Sequence, residues 1–240
     1  RQRQMCIRDR RRTINNFPIE GINIPAREIS GDFYDFYTHN DQIYFTLCDL
    51  SGKGVNAGMV MARAITLFKI YSKNKFKPNE IHYEMNNDLR QTNPKGVYVT
   101  SIVGSYNSQT DIVELSNAGH LPALFKNGKG FNEYESSSLP LGIKKADNSN
   151  EYKLESFKLD NGRLYCFTDG FSECRNDKGE EIGISGVKDL INNYQNASLK
   201  KELSKIIKDV EGKSTKGKNF EQNNDENILE DDLTIIGLGK

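Results

Sequence analysis

The stretch IYFTLCDLSGKGVNAGMVMARAITLFKIY, residues 43–71, decides the fold. Its first six residues are β-formers that run up to Asp49, and a glycine-containing loop follows. Val60, Met61, Ala64, Leu67, Phe68 and Tyr71 then recur at spacings of three and four, so the segment reads strand, loop, amphipathic helix. Lys53 between Gly52 and Gly54 invites comparison with a phosphate-cradling loop. That motif requires glycine where Leu47 stands and serine or threonine where Gly54 stands, so the comparison fails. The dinucleotide pattern G-x-G-x-x-G fails as well, because Ala57 takes its third glycine.

Outward from this segment, NEIHYEMNNDLRQ predicts a second helix with Asn79 as cap and Ile81, Met85 and Leu89 on one face, ending before Asn93-Pro94. From Val97 the pattern changes to strands: VYVTSIVGSYN, IVELSNAG, PALFKNGKG and FNEYE, separated by turns at hairpin spacing. GRLYCFTDG and DDLTIIGL predict two more strands, with helices over GVKDLINNY and SLKKELSKIIKDV between them. EGKSTKGKNFEQNNDENILE is poor in apolar residues and predicts a mobile loop. With no internal repeat and no linker, one α+β domain is expected.

The chain has 240 residues, 36% of them hydrophobic and 28% charged, enough for a sizeable core. Its formal net charge is zero and it lacks a long apolar run, so neither nucleic-acid binding nor membrane contact by this domain is expected. The start, RQRQMCIRDR, is arginine-rich and aperiodic, and its back-translation resembles a transposase-type sequencing adapter. Residues 1–12 are therefore expected to be a non-native, adapter-derived or disordered tail, and 13–240 the folded domain. Residues 1–10 carry four arginines and one aspartate, so without them the balance of 33 basic and 33 acidic residues turns slightly acidic. Cys48, Cys166 and Cys174 show no C-x-x-C spacing, which predicts reduced thiols rather than a zinc site or disulfide framework.

Aspartates recur where apolar strands end. Asp49 follows IYFTLC, Asp169 follows RLYCFT, and Asp231 with Asp232 precedes LTIIGL. A carboxylate there is anchored by a rigid element yet reaches solvent, which suits a hard divalent cation. Neighbouring strands would let several converge on two ions about 3.5–4 Å apart that share a water. Taken singly, each of these residues is as well explained as a turn former.

Seven blocks in order change that balance: EISGDFYDFY (28–37), CDLSGKGVNAGMVMA (48–62), TSIVGSYN (100–107), LSNAGHLPALF (115–125), LPLGI (139–143), YCFTDGFSECRNDKGEEIG (165–183) and DDLTIIGL (231–238). Together they resemble the bacterial SpoIIE/RsbU-type branch of the metal-dependent (PPM, or type 2C) protein phosphatases. The resemblance covers about Ile22 to the C-terminus. It implies a four-layer α-β-β-α sandwich of two mainly antiparallel sheets flanked by helices, with two Mn²⁺ or Mg²⁺ ions at one end. By that resemblance Asp49 bridges both ions, helped by the main-chain carbonyl of Leu50. Asp169 and Asp231 bind metal, and Asp32 binds directly or through a water. Asp49 and Asp32 are the residues expected to act in catalysis. Asp35 is expected to be structural and Asp232 is left open. Ser30 stands where the family's GGD block has its first glycine.

The reaction implied is hydrolysis of phosphoserine or phosphothreonine in a protein by a metal-activated water. The substrate implied is an anti-anti-sigma (STAS) protein of a partner-switching pathway. A cytoplasmic domain is expected, with a sensor module upstream of it, a membrane-tethered parent and a homodimer left open. Lys53 is read evenly as a substrate-phosphate contact or as part of the loop behind Asp49. His120 is expected to make a structural hydrogen bond, His39 and His82 to lie at the surface, and Glu173 to cap a turn. DNSNEYKLESF (147–157) has Tyr152 where a calcium loop needs glycine, and is rejected as one. The competing readings are a catalytically silent regulatory pseudo-phosphatase that binds a phosphoprotein, and a phosphohydrolase acting on nucleotides or small molecules.

Overall fold

The computed structural model describes residues 10–13, 17–26, 30–52, 54–94, 96–176, 178–194, 197–216, 229 and 231–239. In chain order they form β1 (Arg10–Thr13), β2 (Ile19–Ile24), β3 (Asp32–His39), β4 (Gln42–Leu50), α1 (Val55–Lys73), α2 (Pro78–Thr92), β5 (Val99–Asn107) and β6 (Ile112–Ala118). There follow β7 (Ala123–Asn127), β8 (Gly130–Tyr134), β9 (Glu155–Lys158), β10 (Arg163–Phe167), the single turn α3 (Asp169–Ser172), α4 (Gly183–Tyr194), α5 (Leu199–Lys216) and β11 (Leu233–Leu238). One sheet has the order β1-β2-β11-β10-β7-β8 and the other β3-β4-β5-β6-β9. Neighbouring strands in both are antiparallel.

Alternation along β4 assembles the layers. Ile43, Phe45 and Leu47 point between the sheets and meet Phe36, Ile102, Leu164 and Ile236. Tyr44, Cys48 and Leu50 point the other way, onto Val60, Ala64 and Phe68 of α1 and Ile81 and Met85 of α2. On the far side of the second sheet, Tyr165, Phe167 and Ile235 pack against Val187 and Leu190 of α4 and Leu203 and Ile206 of α5. The result is the expected α-β-β-α sandwich. β11 is covered on both faces, so LTIIGL is buried throughout, and its one polar side chain, Thr234, accepts from Asn23. α5 is also fixed by a buried carboxylate: Glu202 is paired with Arg163 and accepts the Tyr165 hydroxyl at 2.7 Å.

Four local expectations change. Arg10–Thr13 pairs with β2 from Arg10↔Asn23 to Thr13↔Glu20, so most of this strand lies inside the stretch expected to be a tail. The outer edge of β2 offers unpaired amides and carbonyls to any extended segment, whatever its composition. Asn79 is not the cap of α2: the helix starts at Pro78, where a missing N–H costs nothing, and Glu80 accepts the Lys77 amide at 2.7 Å. The segment 211–230 is not loop from its start, because α5 continues to Lys216, while 217–228 lie outside the described residues. His82, expected at the surface, is fully buried between α2 and the sheet. Among the described residues no helix is long and apolar enough to cross a membrane.

Candidate metal centre

The antiparallel registers carry Asp32, Asp49, Asp169 and Asp231 to one end of the cleft between the sheets. Asp32 opens β3 and stands directly opposite Asp49 near the end of β4, and both lie on the inter-sheet face. Across the cleft, Asp169 lies two residues beyond the end of β10 and Asp231 two before the start of β11, and these two strands pair from Phe167↔Ile235 to Leu164↔Leu238. Placing carboxylates opposite one another is costly without a partner, and the electrostatics show it. Burial first, then the charges of Asp169, Asp231 and Asp232, push Asp49 up to about 6. Burial and the Asp231 charge raise Asp169. Asp32 is held well above the usual carboxylate range by burial and then by Asp49, against hydrogen bonds to Thr168 and Thr234 that lower it.

Polar side chains join the two sheets beneath these carboxylates. His120 is buried, with Nδ1 2.7 Å from the Thr100 hydroxyl, and Thr100 faces Asp49 on β5. Its Nε2 lies 3.1 Å from the carbonyl of Phe167, the last residue before the Thr168-Asp169 corner. The carbonyl can only accept, so Nε2 carries a proton; with the ring neutral, as its burial dictates, Nδ1 is then the acceptor for the Thr100 hydroxyl. Burial, offset in part by the Phe167 contact, lowers the ring's pKa to about 4. His120 thus makes the structural hydrogen bond expected of it. Thr168 and Thr234 tie β10 to β11 through Thr168 N to Thr234 O (3.0 Å) and Thr234 N to Thr168 Oγ1 (3.1 Å). Asn23 of β2 donates to Thr234 Oγ1 at 2.6 Å.

The remaining candidates separate cleanly. Leu50 is buried on the helix side and its amide donates to the carbonyl of Gly31, which keeps the Asp49-Leu50 peptide beside the Asp32 strand. Gly52 and Gly54 take φ of 131° and 86°, backbone that other residues rarely adopt, and Gly54 caps α1. The two glycines therefore shape the loop behind Asp49, and Lys53 lies outside the described residues. Asp35 points to the helix side, where Lys69 meets it at 2.9 Å, so it is structural. Glu173 closes the α3 turn with its amide on Asp169 O (2.8 Å) and has an exposed side chain. At 149–151 the rejected calcium-loop segment forms a one-turn helix beside buried Tyr152.

Two residues matter more than their sequence context suggested. Asp232 is buried and its carboxylate receives donors from the β2–β3 connection. Ser30 sits within 2.8 Å of that carboxylate. The signal for Asp232 was its neighbour: a second aspartate beside a candidate ligand, one residue before a buried strand.

Whether this end of the cleft suits cations can be judged from the donors themselves. Asp32 Oδ2 is buried and has no hydrogen-bond partner, a costly state for a carboxylate oxygen that coordination of a cation would relieve. Asp49, Asp169 and Asp231 are hard oxygen donors whose mutual repulsion a cation would reverse. Among the described residues, no three His, Cys, Asp or Glu side chains close tightly enough to form a ready-made cage. The donor set fits divalent cations in type and charge.

Similarity to known proteins agrees with this picture. Residues 39–239 match the family described as Stage II sporulation protein E (SpoIIE). The phosphoserine phosphatase RsbU of Bacillus subtilis (strain 168) is 26% identical over 198 residues, 76% of this chain and 58% of that protein. The chain spans between 35% and 58% of the length of the curated relatives it matches. Among solved structures, the SiaA-PP2C domain of Pseudomonas aeruginosa superposes with a TM-score of 0.77 at 16% identity, covering 93% of this chain and 85% of that one. RsbX in complex with magnesium gives 0.68 at 14% identity, covering 96% and 98%. The sandwich is therefore the PP2C fold, and with most of its length matched, the chain belongs to the SpoIIE family.

Proposed function

We propose that this chain is a metal-dependent phosphatase of phosphoserine and phosphothreonine in proteins, with residues 13–240 as the catalytic domain. The observation that carries the reading is the convergence of Asp32, Asp49, Asp169 and Asp231 from both sheets on one cleft end, with Asp32 Oδ2 buried and unpartnered. Asp49, the main-chain carbonyl of Leu50, Asp169 and Asp231 would hold two Mn²⁺ or Mg²⁺ ions, with Asp32 binding directly or through a water. Such ions supply an acidified water and charge stabilisation for the phosphoryl oxygens.

The chain's own residues set up direct attack by water rather than a phospho-enzyme. Cys48 faces α1 and α2, away from the cleft, and its burial pushes the thiol up to about 12. His82 is buried on that same side, and both nitrogens of His120 are engaged. Asp49 and Asp32 face each other across β3 and β4 and fix the orientation of the reacting end, while His120 ties the two sheets together beneath it and the Thr168–Thr234 pair ties β10 to β11 within one of them.

The resemblance to the SpoIIE/RsbU branch supports a phosphorylated STAS-domain protein as substrate, in the cytoplasm. The experiment compares turnover of a phosphoserine STAS protein, a phosphoserine peptide and a nucleoside triphosphate in Mn²⁺. Preference for the phosphoprotein is expected. Preference for the nucleotide would replace this reading with a small-molecule phosphohydrolase, and binding of the phosphoprotein without turnover would replace it with a pseudo-phosphatase.

A further inference from the structure

Asp232 lies beside a proposed ligand, yet its own carboxylate is already committed. Oδ1 accepts the Ala26 amide at 2.6 Å. Oδ2 accepts the Gly31 amide at 2.7 Å, lies 2.8 Å from the Ser30 hydroxyl, and meets the Asp32 amide at a longer 3.4 Å. A carboxylate offers about four acceptor positions, and here the donors come from both ends of the β2–β3 connection. Ser30 Oγ also accepts the Asp32 amide at 3.1 Å, and its one proton has two acceptors in reach, Asp232 Oδ2 and the Asp32 carbonyl at 2.9 Å, so Ser30 links Asp232 to the Asp32 backbone.

The main chain of Asp232 is tied to the other two ligands. Its amide donates to Asp231 Oδ1 at 2.9 Å, which orients that side chain. Its carbonyl oxygen would lie 2.3 Å from a β-carbon at Gly170, so only glycine lets the Asp169-Gly170 corner come this close. One residue therefore touches the supports of Asp32, Asp169 and Asp231, which come from different strands of both sheets.

We propose that Asp232 is a positioning residue that registers three metal-binding aspartates across the two sheets, with Ser30 as its partner, and that it binds no ion itself. The inference rests on the metal-centre reading above. Residues that orient ligands in this way are worth about 10–100-fold in metal affinity when changed. Asparagine at 232 keeps the size but turns one acceptor oxygen into a donor, which sets it against the Ala26 amide or against the Ser30–Gly31 pair.

The test measures Mn²⁺ affinity and stoichiometry by titration calorimetry for the wild-type chain, D232N, S30A and D231N. It also follows hydrogen exchange of the Ala26, Gly31 and Asp32 amides without metal. Expected for D232N are wild-type stoichiometry at saturation, about 10–100-fold weaker affinity, and faster exchange of those amides. S30A should show the same effects at a few-fold level, and it provides the reading if D232N does not fold. D231N should lose an ion. Unchanged affinity and exchange in D232N and S30A would overturn the proposal, as would a D232N chain that loses an ion as D231N does. A wild-type chain that takes up no Mn²⁺ contradicts the metal-centre reading, while the exchange rates still decide whether Asp232 holds the connection.

Discussion

Replacing Asp49 by asparagine removes one charge from a crowded cleft, and the consequence for stability can be worked from the structure. Folding raises this carboxylate from 3.8 to about 6 through burial and through the charges of Asp169, Asp231 and Asp232. A rise of that size corresponds to about 3 kcal/mol lost from the folded state once the group is ionised in both states. Between those two values the folded chain binds more protons than the unfolded one. Stability from this group is therefore full below 3.8, falls as pH rises, and is gone above about 6. Asparagine carries no charge but must still bury an amide, so the expected net gain for D49N without metal is about 1–2 kcal/mol near pH 7.5 and close to nothing near pH 4. Urea melts in chelator at the two pH values measure it. Adding Mn²⁺ should invert the order, because a ligand at a hundredfold excess over its Kd stabilises the wild type by about 2.7 kcal/mol. If D49N is instead the less stable protein in chelator near pH 7.5, Asp49 is a structural acceptor and the reasoning fails.

Other variants separate scaffold from site. H82A leaves the hydroxyls of Ser116 and Ser101, 2.9 and 3.1 Å from the ring nitrogens, buried without that partner, and should cost about 2–5 kcal/mol in a urea melt; a loss below about 0.5 kcal/mol would show that the network adds nothing. K69A removes a half-exposed partner from Asp35 and should cost less than about 1 kcal/mol. Neither K69A nor D35N should change Mn²⁺ affinity in a binding titration, and a tenfold weakening in D35N would return Asp35 to the metal site.

How much of this could be read from residues alone depended on how local each signal is. The β4–loop–α1 unit was legible because an unbroken run of β-formers gives way, across a glycine-containing loop, to apolar residues spaced by three and four. The strand-end aspartates were legible because each interrupts an apolar run where a turn begins. His82 was not, because its partners Ser101 and Ser116 sit on strands 19 and 34 residues away and acquire meaning only when β5 and β6 lie under α2. Asp232 was undecided for the same reason on a larger scale, since its donors at Ala26 and Ser30 are 206 and 202 residues distant. Ser30 looked like a departure from the family's block, whereas the fold gives its hydroxyl contacts that glycine cannot make. β1 escaped notice because edge pairing uses backbone groups, which composition does not reveal.

The most direct test of the central claim is phosphate release from a phosphoserine peptide by the wild-type chain and D49N, each with Mn²⁺ and with chelator. The account predicts release by the wild type in Mn²⁺, none in chelator, and none above background from a folded D49N. Release that persists in chelator, or that survives in D49N, would contradict it.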